Sequence, residues 1–195
     1  MRIIYSKVST EPSAEPVTSI EAKLHLRVDH TDDDTLITIL IQAARELVEQ
    51  HLGRSLITQS RTIKLDTFPR CSNAILIPYG PLVSVTTLKY YDEDEVQQTL
   101  SSSLYWVDSS SNIPRIVVKD SWPGIFDMPN AVEIIYVAGY GASGSFVPKP
   151  IKQAMLLVIG HLYENREQVG DIRHELPFGV ETLLAPYVLE QSVVY

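Results

Sequence analysis

The sequence predicts an α+β fold in which N- and C-terminal helices form a helical bundle and an antiparallel β region is inserted between them. Three observations predict it. Apolar residues recur at helical spacing from Pro16 to Ser55 and again from Pro148 to Pro186. Between Ile57 and Tyr140 the period changes to two, as in Thr62-Ile63-Lys64-Leu65-Asp66 and Val132-Glu133-Ile134-Ile135-Tyr136-Val137. Pro, Gly, Ser and acidic residues separate these alternating runs, as turns require. A chain of 195 residues, 45% of them hydrophobic, can bury the core of one domain carrying an insertion. The predicted organisation is an extended arm over 1–15, a discontinuous helical core over 16–55 and 148–195, and an inserted antiparallel β subdomain over 56–147.

The arm holds Ser, Thr, Glu and Pro with little apolar periodicity after Tyr5, so it reads as extended chain able to order against a neighbour. Thr18 and Glu21 have capping-box spacing, in which hydroxyl and carboxylate satisfy orphan amides, and start a short helix from Ser19 to about Arg27. Thr31 is the expected cap of a second helix, whose first turn, Asp32-Asp33-Asp34, suits the helix dipole. That helix runs to about Leu52, where Gly53 supplies a left-handed stop. It carries two apolar stripes, Leu36, Leu40, Ala43 and Leu47 beside Ile37, Ile41, Ala44 and Val48. One stripe should pack on the other helices and the second on the β region or another subunit.

In the β region, strand-like runs occupy Asn73 to Ile77, Leu82 to Tyr91, Val96 to Leu100, Tyr105 to Asp108 and Ile113 to Lys119. Asp92-Glu93-Asp94-Glu95 falls between two of them and reads as a solvated hairpin tip rather than a metal site. Pro150 then opens a helix with Ile151, Ala154, Met155, Val158 and Leu162 on one side. Leu156, Leu157 and Ile159 make it apolar nearly all round, which calls for cover from other helices or a second subunit. The polar stretch Asn165 to Glu175 separates it from a short amphipathic helix that Pro186 ends.

Composition narrows the function. The formal net charge is -8, and Lys and Arg are scattered singly, so a phosphate-gripping surface for DNA is not expected. The single cysteine, Cys71, forms no intramolecular disulfide and sits in none of the cysteine-catalysis signatures. The polar start after Tyr5 and the short apolar run Ala154 to Gly160 predict neither secretion nor a membrane span. His25, His30 and His51 have unpersuasive spacing for a metal, His161 and His174 are isolated, and no HExxH or paired-cysteine motif occurs. Gly139-Tyr140-Gly141-Ala142-Ser143-Gly144 lacks dinucleotide or P-loop spacing, and Ser101 to Ser103 and Ser109 to Ser111 lack a nucleophile elbow. No enzyme, cofactor or metal site is therefore expected. Tyr90, Tyr91, Tyr105, Trp106 and Trp122 read first as packing residues and, alternatively, as a sugar- or base-stacking platform.

The order of the terminal blocks resembles one family. Pro16-Val17-Thr18-Ser19-Ile20-Glu21-Ala22-Lys23-Leu24-His25-Leu26-Arg27, the acidic run and the long helix ending Leu52-Gly53-Arg54-Ser55 form one half of the resemblance. Val147-Pro148-Lys149-Pro150-Ile151, His161-Leu162-Tyr163-Glu164-Asn165 and Leu176-Pro177-Phe178-Gly179-Val180 through Tyr187 form the other. Together they resemble the head-tail connector of tailed phages, in the longer form of that head-completion adaptor with a β insertion.

The resemblance implies a structural protein of the virion neck, assembled in the host cytoplasm. It implies a ring of about twelve copies under the portal, matching the portal's rotational symmetry. The ring would extend the DNA channel without binding DNA specifically and would attach the stopper or tail-completion protein. Portal docking falls to Leu176, Pro177, Phe178, Leu183, Leu184 and Tyr187. Subunit contacts fall to Ile37, Ile41, Val48, Leu156, Leu157 and Ile159. Asp32, Asp33, Asp34, Asp92, Glu93, Asp94 and Glu95 are the acids expected to face and repel the passing phosphates. A tail-completion or stopper protein, or a phage carbohydrate-binding module, are the alternatives.

Overall fold

The structure is a computed structural model that describes residues 3, 5–165 and 178–189. It has an α+β architecture of antiparallel sheets, most of whose strands lie along the chain between two N-terminal and two C-terminal helices. Strand β1 (Tyr5–Thr10) is followed by helices α1 (Ser19–Leu26) and α2 (Asp34–Leu52). Strands β2 (Gln59–Leu65), β3 (Ala74–Leu76), β4 (Leu82–Tyr91), β5 (Gln97–Thr99), β6 (Tyr105–Asp108), β7 (Arg115–Val118) and β8 (Val132–Ala138) come next. Helices α3 (Lys149–Glu164) and α4 (Phe178–Leu184) close the described chain. One sheet runs β1-β2-β8-β4-β5 and a smaller one β3-β7-β6.

The start of α1 follows from its sequence. The Glu21 N–H donates to Thr18 Oγ1 at 3.2 Å and the Thr18 N–H donates to Glu21 Oε2 at 2.8 Å, so each residue satisfies the other's orphan amide. The start of α2 does not. Thr31 is not its cap: the helix begins at Asp34, and Thr31 contributes only its carbonyl, which accepts from the Asp34 N–H at 3.1 Å. Asp33 occupies the cap position without capping, because its carboxylate accepts from the Tyr163 hydroxyl of α3. Asp34 pairs with Lys23 of α1 at 2.6 Å. Tertiary partners have drawn these carboxylates away from local amides. At the other end Gly53 takes φ 62° and stops α2.

Strands β2 and β8 alternate buried and half-buried residues along their whole length, with Gln59 opposite Ala138 and Leu65 opposite Val132. This pair positions the helices. Strand β2 leaves α2 and β8 leads to α3, so their register brings the end of one helix beside the start of the other. The junction is tight: the Tyr140 N–H donates to the Leu56 carbonyl and the Thr58 N–H to the Gly141 carbonyl at 2.9 Å. Gly139 has φ +142°, and a Cβ there would lie 2.5 Å from the Ile57 carbonyl, so only glycine fits.

Two apolar clusters result. One joins Ala22, Ile37, Val48 and Leu52 to Ile151, Met155, Ile159, Val180 and Leu184 from the four helices. The other lies in the sheets around Ile63, Leu65, Ile75, Leu88, Ile116 and Ile134. The segment expected as an arm contains β1, which pairs with β2 of its own chain, Tyr5 opposite Lys64. It buries no face, and so has no apolar alternation to reveal it.

Candidate assembly surfaces

Helix α2 turns Ile37, Ile41, Ala44 and Val48 inward, and all four are buried. Ile159 of α3 is buried in the same cluster. This corrects the expected subunit contacts: Ile37, Ile41, Val48 and Ile159 are consumed by the protomer's own core and leave nothing for a neighbour. Leu156 and Leu157 are half-buried against that core. The second stripe of α2 faces outward, with Ala43 and Leu47 exposed and Leu36 and Leu40 half-buried.

Leu184 is likewise buried, with Val180, where α4 packs on α3, so its expected role as a docking anchor is corrected for the same reason. Leu183 and Tyr187 are half-buried on the same cluster. The segment is pinned to α2, since the Leu189 N–H donates to the Leu52 carbonyl and Arg54 Nε to the Tyr187 carbonyl at 2.7 Å. Leu176 and Pro177, the Phe178 side chain and His174 lie outside the described residues.

The two acidic runs differ. Asp33 and Asp34 have intramolecular partners, while Asp32 is exposed at the entry to α2. Asp92 closes the β4–β5 turn by accepting from the Val96 N–H at 2.9 Å, the Asp94 N–H at 3.1 Å and Gln98 Nε2 at 2.8 Å. These bonds, that from Gln98 first, hold its carboxyl below the usual range. Glu93, Asp94 and Glu95 are exposed around it.

A buried polar network joins the two clusters, and sequence reasoning missed it. Arg45, almost fully buried on α2, meets Glu15 at 3.0 Å, Glu11 at 3.5 Å and Glu49 at 3.7 Å. Glu49 Oε1 accepts from the Leu56 N–H at 2.7 Å, and both its oxygens accept from Gln59 Nε2. The Arg61 guanidinium lies over the Tyr79 ring, 3.6 Å from its centre. Burial pushes the Glu49 carboxyl up against the opposing Leu56, Gln59, Arg45 and Arg61 contributions, and burial likewise raises Glu15. A cleft of about 370 Å³ beside the network is lined by Lys7, Arg45 and Arg61 together with Glu11, Glu46 and Glu49, so its charges largely cancel. The legible signal was that Arg45 and Glu49 adjoin Ala44 and Val48 on the inward side of α2.

Among the described residues no three His, Cys, Asp or Glu side chains are grouped to hold a metal. The aromatic residues divide. Trp122 stacks on Phe68, with ring centres 4.7 Å apart and planes 7° apart, and Tyr105 is buried. Trp106 is 58% exposed with Lys119 over its ring, so the five do not form one platform.

A family model described as phage gp6-like head-tail connector protein matches residues 20–119, from α1 to just beyond β7. The chain is similar in fold to one in the neck of an empty gene transfer agent particle computed with C6 symmetry, with a TM-score of 0.79 at 23% identity over 95% of each chain. It is similar to a chain in the virion of the native gene transfer agent particle, with a TM-score of 0.80 at 24% identity over 95% of each chain. A chain in the neck of the native particle computed with C12 symmetry matches with a TM-score of 0.77 at 24% identity, again over 95% of both. No curated protein matches the chain.

Proposed function

Because the chain belongs to the family of phage gp6-like head-tail connector proteins, we propose that it is the adaptor at the neck of a tailed, phage-like particle. About twelve copies form a ring beneath the portal, extend the DNA channel and present the surface to which the stopper or tail attaches. The family match over 20–119 is the observation that carries this reading. Chains of the same fold in particle necks computed with C6 and C12 symmetry support a ring. Within each copy, the helices of 16–55 and 148–195 act as the connector core, a bundle from which the β subdomain of 56–147 projects.

The net charge of -8 suits a wall past which DNA slides, since exposed carboxylates repel phosphates. Of the acids expected to face the channel, Asp32 and the β4–β5 tip, Glu93 to Glu95, are exposed; Asp33 and Asp34 already have partners. The C-terminal segment meets the portal through Leu176, Pro177, Phe178, Leu183 and Tyr187. Purified portal titrated with the Tyr187→Ala variant should bind it several-fold more weakly than it binds wild type.

Electron microscopy of lysates in which the gene is disrupted tests the function. DNA-filled or leaking heads beside complete free tails are expected. Normal tailed particles would overturn the reading.

A further inference from the structure

A closed ring of identical copies is built from head-to-tail contacts, so each copy must offer two different surfaces that fit each other. The helices carry two apolar faces that their own chain leaves open. On α1, Ile20 and Leu24 stand one turn apart and are each 80% exposed, more than any other large hydrophobic residue of the described chain. Ala22, on the opposite side of that helix, is the residue that meets the core. On α2, Ile39 is 56% and Leu47 38% exposed. Ala43 lies between them and is exposed too, so two large side chains flank a notch floored by a methyl group.

Charge decides what can sit there. Two copies that each carry -8 repel one another over most of their surfaces, and a like neighbour can approach only where acid is sparse. Between Thr35 and Gln50 the single exposed acid of α2 is Glu46. Its side chain is 69% exposed and only loosely held by Arg45 at 3.8 Å. Arg27, one turn beyond Leu24 at the end of α1, is exposed; its backbone N–H caps the helix, and its side chain makes no hydrogen bond or ion pair among the described residues. The α1 face therefore ends in a cation and the α2 face carries one anion beside its notch.

We infer that Ile20 and Leu24 of one copy seat in the α2 notch of the next, between Ile39 and Leu47 and over Ala43, with Arg27 meeting Glu46. This rests on the ring reading above and names the surfaces that close the ring. An interface of this kind concentrates its strength in a few desolvated aliphatic anchors, with the ion pair at its rim setting register.

The test adds purified full-length chain to DNA-filled, tailless heads from cells with the gene disrupted, and counts the heads that then accept tails. Wild type should restore tailed particles. Leu24→Glu and Leu47→Glu should each lower the yield at least about tenfold while melting at the wild-type temperature, since both side chains are exposed in the free chain. Arg27→Glu or Glu46→Lys alone should weaken assembly by about three- to tenfold, and the two combined should recover most of it. In a Cys71→Ser background, Leu24→Cys with Ala43→Cys should give a ladder of disulfide-linked copies on heads. Wild-type rings with no ladder, and full activity of Leu24→Glu and Leu47→Glu, would overturn the inference and leave the ring standing. A disulfide from position 43 to another neck protein would also overturn it. Failure of wild type to form any ring would overturn both.

Discussion

The helical core gathers Val17 to Ile57 with Val147 to Leu184, whereas the sheet core draws on Ile63 to Ala138 with one addition, Ile3. The first is therefore closed across the whole chain and the second within one stretch of it. Closing a long loop costs chain entropy, and the pairing of β2 with β8 is what holds the two halves of the helical core together along the chain. The sheet acts as the clasp. Arg45, Glu49 and Gln59 form a buried charged joint that links α2 to β2. The arrangement suits a protein whose helices still present open apolar faces while its central strands are finished on both sides.

The clasp is the place to break this comparison. Gly139→Val places a side chain against the Ile57 and Thr58 backbone at a φ that valine does not tolerate, and should cost roughly 3–5 kcal/mol. Both tryptophans, Trp106 and Trp122, lie in the β region, so fluorescence reports the sheets and far-ultraviolet circular dichroism the helices. In urea the variant should lose its helical signal before its tryptophan signal; wild type should lose both together.

Cavities in the two cores sharpen the same contrast. Leu52→Ala and Leu88→Ala, both at fully buried positions, should each cost about 2–5 kcal/mol. Leu88→Ala should move both urea transitions equally, because the helices depend on the sheet, and Leu52→Ala should shift the helical transition more.

Glu49→Ala strips the Leu56 N–H, Gln59 and Arg45 of a shared buried acceptor and should cost roughly 2–4 kcal/mol by the same urea measurement. The joint also has a pH signature. Glu15 and Glu49 bind protons more tightly folded than unfolded, because burial raises both. Their ionisation therefore costs stability at neutral pH, and that cost is relieved as pH falls through their raised values toward 4.5. Glu21 runs the other way. Burial raises its carboxyl, but hydrogen bonds from Lys152 and Thr18 outweigh burial and lower it, so its contribution is kept above pH 4.5 and lost below. Melting temperature should thus rise from pH 7 toward pH 5, and Glu49→Gln should flatten that rise.

The smallest effect belongs to the α1–α3 ion pair. Lys152 Nζ lies 2.6 Å from Glu21 Oε1, yet the Glu21 side chain is 41% exposed. Lys152→Met should change stability by only about 0.2–1 kcal/mol after solvent screening, in a thermal melt whose salt dependence shifts slightly from that of wild type.

Much of this was legible where a short stretch of chain decides its own conformation. The Thr18–Glu21 capping box, the Gly53 stop, the alternation of β2 and β8 and the turn at Asp92 need no distant partner, and each stands as the residues read. The resemblance of the terminal blocks likewise pointed to the family that the match over 20–119 shows. Strand β1 was illegible because an edge strand exposed on both faces has no apolar period. The Thr31 cap was misjudged because α2 begins only at Asp34, with Asp33 before it bonded to a hydroxyl 130 residues away along the chain.

What only the tertiary structure decided is which apolar residues the protomer keeps for itself. Ile37 and Ile39 are equally hydrophobic two residues apart, and Leu184 and Leu183 are neighbours, yet Ile37 and Leu184 are sealed while Ile39 and Leu183 are not. Burial depends on what the β2–β8 register swings against each helix, and periodicity measures only the width of an apolar face. The sequence determined the helices, the strands and the residues able to stick. The packing of the helices from the two ends of the chain on one another determined which of them remain outside.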